Sequence, residues 1–485
     1  MFFTSNSFFV FYTVLLFLCL LVQYFPSIKK ETRLLFRNLI LLGGSYYFYA
    51  FLKWEFLLLL FGITIVNYIC ALRLNQSIHR KRYLWIAIVL SIGALGYFKY
   101  ANFFADSVNQ ALSVLGIAPQ IELTKIILPI GISFFTFQAL SYTFDVYNGK
   151  MHPRKNLLTV ALHVSFFPSI LSGPIERGRN LIPQIETYTQ ISLSGLVEGG
   201  KLFIWGLFKK LVIADRLAAY INVVYGGEAS SFSSVTLMTT AVLYSIYIYA
   251  DFSGYSDMAV GIARSLGFKL MDNFRFPYFS TSIKEFWKSW HISLTSWFSE
   301  YVYIPLGGNR VSTPRWIFNI CAIFLLSGLW HGANWTFILW GALHAVYYIV
   351  EYYYLKAKDQ LLTSSSYHCR LEDAKVAQII KNIGSALLVF VLATIAWIFF
   401  RIEDLGQACS VITHFFDGTT GLYMGSSSFT TLLMFFLLLL FVGMEWIKYK
   451  QIRLSLFGNA IAYAIVLAMV LLFGVTAGGF AYFQF

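Results

Sequence analysis

Apolar residues fall in long runs separated by short polar punctuation. A helix needs about 20 apolar residues to cross roughly 30 Å of hydrocarbon. On that scale the pattern predicts candidate spans at 8–26, 36–52, 54–73, 83–103, 126–144, 157–172, 198–222, 235–262, 315–330, 334–354, 381–400, 429–447 and 459–481. The predicted fold class is all-α, a polytopic transmembrane helical protein, in one integral domain over residues 1–485. The first run follows only uncharged residues and lacks the basic start of a cleaved signal peptide, so it is read as the first span. Between 263 and 314 the apolar pattern gives way to mixed charges and aromatics, which predicts interfacial or re-entrant helices; Trp287, Trp290, Trp297, Tyr301 and Tyr303 suit a headgroup-level belt. Residues 355–380, with Ser364 to Ser366, and 402–428, with Gly418, Gly421 and Gly425, read as connectors.

Composition agrees: 58% of the 485 residues are hydrophobic and 12% charged, where a soluble chain carries about 25% charge. The net charge of +13 is explained by topology rather than nucleic acid, because the basic residues cluster beside the runs as cytoplasmic loops require. Lys29, Lys30, Arg33 and Arg37, then Arg73, Arg80, Lys81 and Arg82, mark inner loops; Lys448, Lys450 and Arg453 mark the loop before the last run. Both termini are then outside, which demands an even number of crossings. The candidate runs are odd in number, so one does not cross, and the Pro- and Gly-containing stretch from Ser165 to Pro183 is the first suspect. The cysteines Cys19, Cys70, Cys321, Cys369 and Cys409 are scattered without metal-ligand spacing, so neither zinc nor disulfides are expected and no metal site is assigned.

Ionisable groups inside apolar runs are costly and point to function. His331 lies in Ser-Gly-Leu-Trp-His-Gly-Ala-Asn-Trp (Ser327 to Trp335), at the far end of a predicted hairpin whose outer ends carry Arg310, Arg315, Lys356 and Lys358. A neutral imidazole there can take a proton from a hydroxyl; a hydrogen-bonded core histidine is the alternative reading. In Phe286 to Phe298, helical spacing puts Lys284, Lys288, His291, Thr295 and Phe298 on one stripe with Trp287 beside it. That face suits a phosphorylated donor, or else an interfacial helix with solvated lysines. Asp251 and Tyr255 share a face at i,i+4 in Tyr249 to Gly261, where small residues permit close helix approach. Asp251 either orients a histidine or lines a tunnel, or pairs with a lysine such as Lys209. Pro129 and Pro174 interrupt Leu128 to Gln138 and Ser172 to Arg177, and Glu176 and Arg177 are too costly to face lipid. His79, His152, His163, His344, His368 and His414 are solitary, although His344 is placed to support the site. No Walker loop, Gly-x-Ser-x-Gly elbow or His-Glu-x-x-His is present. No internal repeat is evident, which weakens an inverted-repeat transporter.

The motifs Leu128 to Tyr147, Ser172 to Arg177, Tyr249 to Gly261, Asp272 to Arg310 and Leu326 to Trp335, with Trp397 to Arg401 and Tyr482 to Phe485, resemble the membrane-bound O-acyltransferase family. They are closest in look to its bacterial branch of alginate O-acetylation proteins and peptidoglycan O-acetyltransferases, with a family core at about 100–350. The resemblance implies a ring of helices around a thinned core, with an outer funnel and a cytoplasmic tunnel, in a multi-pass protein of the bacterial inner membrane. It implies that His331 is the essential histidine and His291 a second, cytoplasm-facing one. It also implies acetyl-CoA as donor substrate with no bound cofactor, a polysaccharide acceptor, and a periplasmic or membrane-tethered partner with an SGNH or esterase-like domain. Lys284, Lys288, Trp287, Asp251, Tyr255, Glu176, Trp330 and Asn334 are the candidates for the tunnel, the donor site and the oxyanion donors. D-alanyl transfer to teichoic acid and a non-enzymatic transporter remain the rival readings.

Overall fold

A computed structural model describes residues 1–25, 29–118, 121, 126–364, 375–425, 427–452, 455–476 and 480. Regular structure among them is helical throughout, with no strand. Seven of these helices are long and apolar enough to cross a membrane: Asn6–Tyr24, Phe56–Gln76, Arg80–Val114, Ser234–Ser265, Ala377–Arg401, Ser428–Tyr449 and Leu456–Phe473. The expectation of a multi-pass, all-helical membrane protein holds. Ser365, Ser366, His368, Cys369, Arg453 and Tyr482 to Phe485 lie outside the described residues.

Two compact units emerge, one of Met1–Leu207 with Gly254–Asp272 and one of Phe208–Ser253 with Asn273–Ala481. In the first, the helix Ile132–Tyr147 is buried along nearly its whole length, because almost every side chain on it is apolar or small. Asn67 supplies a polar tie on Phe56–Gln76, donating to Ser91 Oγ at 2.9 Å and accepting from Thr143 Oγ1 at 2.7 Å. The buried Arg37 guanidinium donates to the carbonyls of Gln184, Ile185 and Thr187, which end the helix Gly178–Glu186. Close backbone approach, expected from the small residues near Gly254 and Gly261, is real: a Cβ on Gly199 would sit 2.5 Å from the Gly261 carbonyl.

Several predicted runs are interrupted. The 157–172 run is two pieces, Leu157–Ser165 and Phe167–Ile170; nine residues at 1.5 Å each reach about 14 Å, less than half the hydrocarbon. The 126–144 run becomes helical only at Ile132, after Pro129 and a left-handed Gly131. The 198–222 run continues from Leu193–Leu207 into a π-helical turn, Phe208–Ala214, before Asp215–Gly226. The 402–428 stretch, expected as a plain connector, contains a helix, Leu405–His414, which Asp404 starts by accepting from the Gln407 N–H. A side-chain cap outweighed the low apolar content there.

The second unit holds the 263–314 region beyond Asn273 as short pieces: Pro277–Phe279, Ile283–Ser289, Ile292–Phe298 and a π-turn at Ser299–Tyr303. Two long helices, Thr313–His331 and Trp335–Ser364, form the predicted hairpin. Their crossing is tight, since a Cβ on Gly328 would lie 2.3 Å from the Phe337 carbonyl.

Candidate active site

His331 is the last residue of its helix, and the chain turns at once through Gly332. An added Cβ at 332 would lie 2.0 Å from the Phe337 ring, so any larger residue there must displace that ring. Asn334 restarts the chain as helix: its Oδ1 accepts from the Thr336 N–H at 3.1 Å and the Thr336 hydroxyl at 3.3 Å. The result is an imidazole 3% exposed at the end of a hairpin.

Four rings enclose it. Trp330, Trp340 and Phe400 stand edge-on to His331 with centroids at 5.0, 5.1 and 5.2 Å, and His291 is 6.2 Å away. Two histidines remote in sequence therefore meet. His291 is 1% exposed, and burial pushes its imidazole well below the usual histidine range. Phe252 packs edge-on to it at 4.6 Å.

The single stripe expected through Phe286 to Phe298 is broken at His291, whose backbone is left-handed at φ 42°. That turn rotates the imidazole away from its predicted neighbours, toward His331. The rest of the stripe holds: Lys284, Lys288, Thr295 and Phe298 line one cavity of about 200 Å³ with Trp287 and Ser327. Ser327 lies one helical turn before His331, so the cavity reaches from two lysines to the helix that carries the imidazole. Lys284 is fixed by a residue the sequence did not flag: Glu351 accepts from the backbone N–H groups of Ile283 and Lys284 at 2.7 and 3.1 Å. Trp287 packs edge-on to Phe324 at 5.3 Å and to His344 at 4.8 Å. His344 in turn contacts Trp340 at 5.0 Å, so it backs the wall that touches His331.

Asp251, Tyr255 and Glu176 each have buried partners of their own. Asp251 is held by Lys210 at 2.7 Å, and Lys210 also reaches Asp215 at 2.9 Å. The π-turn changes the helical phase, leaving Lys209 3.1 Å from Ser253 and 3.7 Å from Glu445. The consecutive lysines of Phe-Lys-Lys-Leu-Val-Ile-Ala, inside an apolar run, were the available signal for this network. Tyr255, one helical turn beyond Asp251, stacks on Phe3 at 4.7 Å. Glu176, also in the first unit, accepts from the Met271 N–H and from Asn180, both at 2.5 Å, and braces a loop.

The model of the MBOAT, membrane-bound O-acyltransferase family matches residues 41–371. This chain belongs to the membrane-bound O-acyltransferase family. It is an O-acyltransferase, and the two buried histidines sit inside the matched region. It is similar to the probable alginate O-acetylase AlgI of Pseudomonas aeruginosa, 39% identical over 426 residues that cover 84% of this chain and 77% of that protein. The peptidoglycan O-acetyltransferase of Helicobacter pylori is 35% identical over 78% of this chain and 73% of its own length. The teichoic acid D-alanyltransferase of Bacillus subtilis is 31% identical, over 45% of this chain and 57% of its own.

Proposed function

We infer that this O-acyltransferase, set in a bacterial inner membrane, moves an acetyl group from acetyl-CoA at its cytoplasmic side toward the hydroxyls of an envelope or secreted polysaccharide. The observation that carries the reading is His331, ringed by Trp330, Trp340, Phe400 and His291 and one turn from Ser327 in the cavity entered past Lys284 and Lys288. The lysines meet the donor's phosphates by charge-assisted hydrogen bonds. His331 takes the proton of the attacking hydroxyl as its oxygen bonds to the thioester carbonyl carbon. The carbon–sulfur bond then breaks, and the proton leaves with the thiolate as free thiol. The indole N–H of Trp330 and the Asn334 amide are the candidate donors to the tetrahedral oxyanion. An SGNH or esterase-like partner on the outer side carries the acetyl group on to the glycan. Likeness to acetyl-transferring relatives extends over 84% and 78% of the chain, against 45% for the D-alanyltransferase, which favours acetyl as the group moved.

The test is release of CoA thiol and transfer of labelled acetyl by purified protein. His331→Ala is expected to lower turnover by about 100-fold or more, with folding checked by thermal midpoint; unchanged turnover refutes the assignment. Replacing Lys284 and Lys288 together by alanine is expected to raise KM for acetyl-CoA about tenfold and to leave acetyl-pantetheine, which lacks the nucleotide phosphates, unaffected.

A further inference from the structure

The second unit contains another cavity, of about 380 Å³, lined by Asp215, Arg216, Tyr220, Tyr423, Thr430 and Thr431. This falls in the range of small-molecule sites, about 300–1,000 Å³, and the acyl transfer above makes no use of it. Thr430 and Thr431 stand in the first turn of Ser428–Tyr449, and Val475, also in the wall, follows the end of Leu456–Phe473. Both are the ends remote from Lys448 and Lys450, which the charge pattern assigns to the cytoplasm. The cavity is therefore at the outer end. His331 is tied to the same end: Phe400 packs on its ring, and Arg401, the next residue, donates to Asn222 Oδ1 at 2.9 Å beside Val223 of the cavity wall.

The lining chemistry selects among ligands. Asp215 is 2% exposed and its carboxylate is fixed by Lys210 at 2.9 Å, a buried ionised acceptor. Arg216 is pinned by two donations to the Phe473 carbonyl, at 2.9 and 2.7 Å, which use only part of a group with five N–H donors. Tyr220 donates to the Tyr423 carbonyl at 2.9 Å, and the Tyr423 ring packs on it at a tilt of 50° with centroids 5.6 Å apart, which fixes an aromatic wall. Thr431 donates to the Met424 carbonyl at 2.7 Å and keeps its lone pairs as acceptors. A free anion would meet Asp215, and an acyl chain would leave the remaining Arg216 donors unmet. A ring of hydroxyls with apolar C–H faces matches the alternation of acceptor, donor and aromatic surface.

We propose that this cavity binds a carbohydrate unit of the acceptor glycan on the face that carries His331, an inference that rests on the acetyl-transfer reading above. The test titrates the full-length protein in nanodiscs with the neutral oligosaccharide maltotetraose, followed by saturation-transfer NMR and calorimetry. Wild type is expected to bind it. Ala219→Trp, at an exposed position in the cavity mouth, is expected to weaken that binding by about tenfold or more while thermal midpoint and acetyl-CoA turnover stay unchanged. Val223→Trp, also exposed there, serves if the first variant lowers the midpoint. Absence of binding by wild type, or equal binding by the filled variants, overturns the proposal. Loss of glycan acetylation in cells carrying Ala219→Trp, with no oligosaccharide bound by pure wild type, assigns the cavity to a protein partner and overturns it too. Failure of the acetyl-transfer reading would show separately, as turnover that survives His331→Ala.

Discussion

The imidazole of His291 reaches its neighbour only because its backbone adopts φ 42°, a conformation that costs a non-glycine residue on the order of 1–3 kcal/mol. The surroundings hold it there: the Asn273 carbonyl accepts from the Ile292 N–H at 2.9 Å, and the Asn273 side chain from Ser293 at 3.4 Å. Such strain, maintained beside a second buried histidine, fits a site under functional constraint. His331 and Glu176 stand out in the sequence as ionisable groups in apolar surroundings, and His291 as part of a basic stripe. Their separate roles do not, because role follows from what each side chain touches. Glu176 illustrates this. Burial pushes its carboxyl up to about 7, against the opposing pull of the Met271 N–H, Asn180 and Arg177. A carboxyl that binds its proton more tightly folded than unfolded contributes fully below pH about 4.5, and that contribution is lost as pH rises to about 7. Glu176→Gln removes the titration, so the fall in thermal midpoint between those pH values should flatten, by roughly 3 kcal/mol over the window. A parallel pH profile for variant and wild type would contradict this.

At the scale of elements, run length predicted helix correctly, while the breaks came from competing local chemistry. The π-turn Phe208–Ala214 shows how. It frees the Leu211 carbonyl to accept from Val475 at 3.0 Å, and it turns Lys210 between Asp215 and Asp251. Hydrophobic periodicity carries no signal for an inserted residue in a helical turn, so the sequence offered Asp251 a lysine such as Lys209 as partner, and the pair formed in the fold is with Lys210, the next residue. Removing one member of a buried ion group leaves the others uncompensated. Lys210→Met should therefore destabilise by about 3–5 kcal/mol, and adding Asp251→Asn should recover part of it. Thermal unfolding in detergent measures both; a single variant as stable as wild type would deny the network any structural weight.

Across the whole molecule, charge asymmetry sets orientation. The basic residues at Lys448 and Lys450 predict the inner face, and the chain near the 83%-exposed Phe416 the outer one. In a cysteine-free background, Phe416→Cys should react with an impermeant maleimide in intact cells, and Lys450→Cys only after permeabilisation; the reverse pattern would invert the topology. What the sequence by itself determined was the membrane class, the helical fold and the presence of costly buried groups, because these follow from transfer free energies summed along the chain. Only the tertiary structure decided which groups meet: the two histidines, the lysine cavity behind Ser327, and the Lys210 network. Those meetings depend on where helices break and how closely they cross, and at Gly332, His291 and the π-turn a single residue's steric fit decides it, a scale on which hydrophobic pattern is silent.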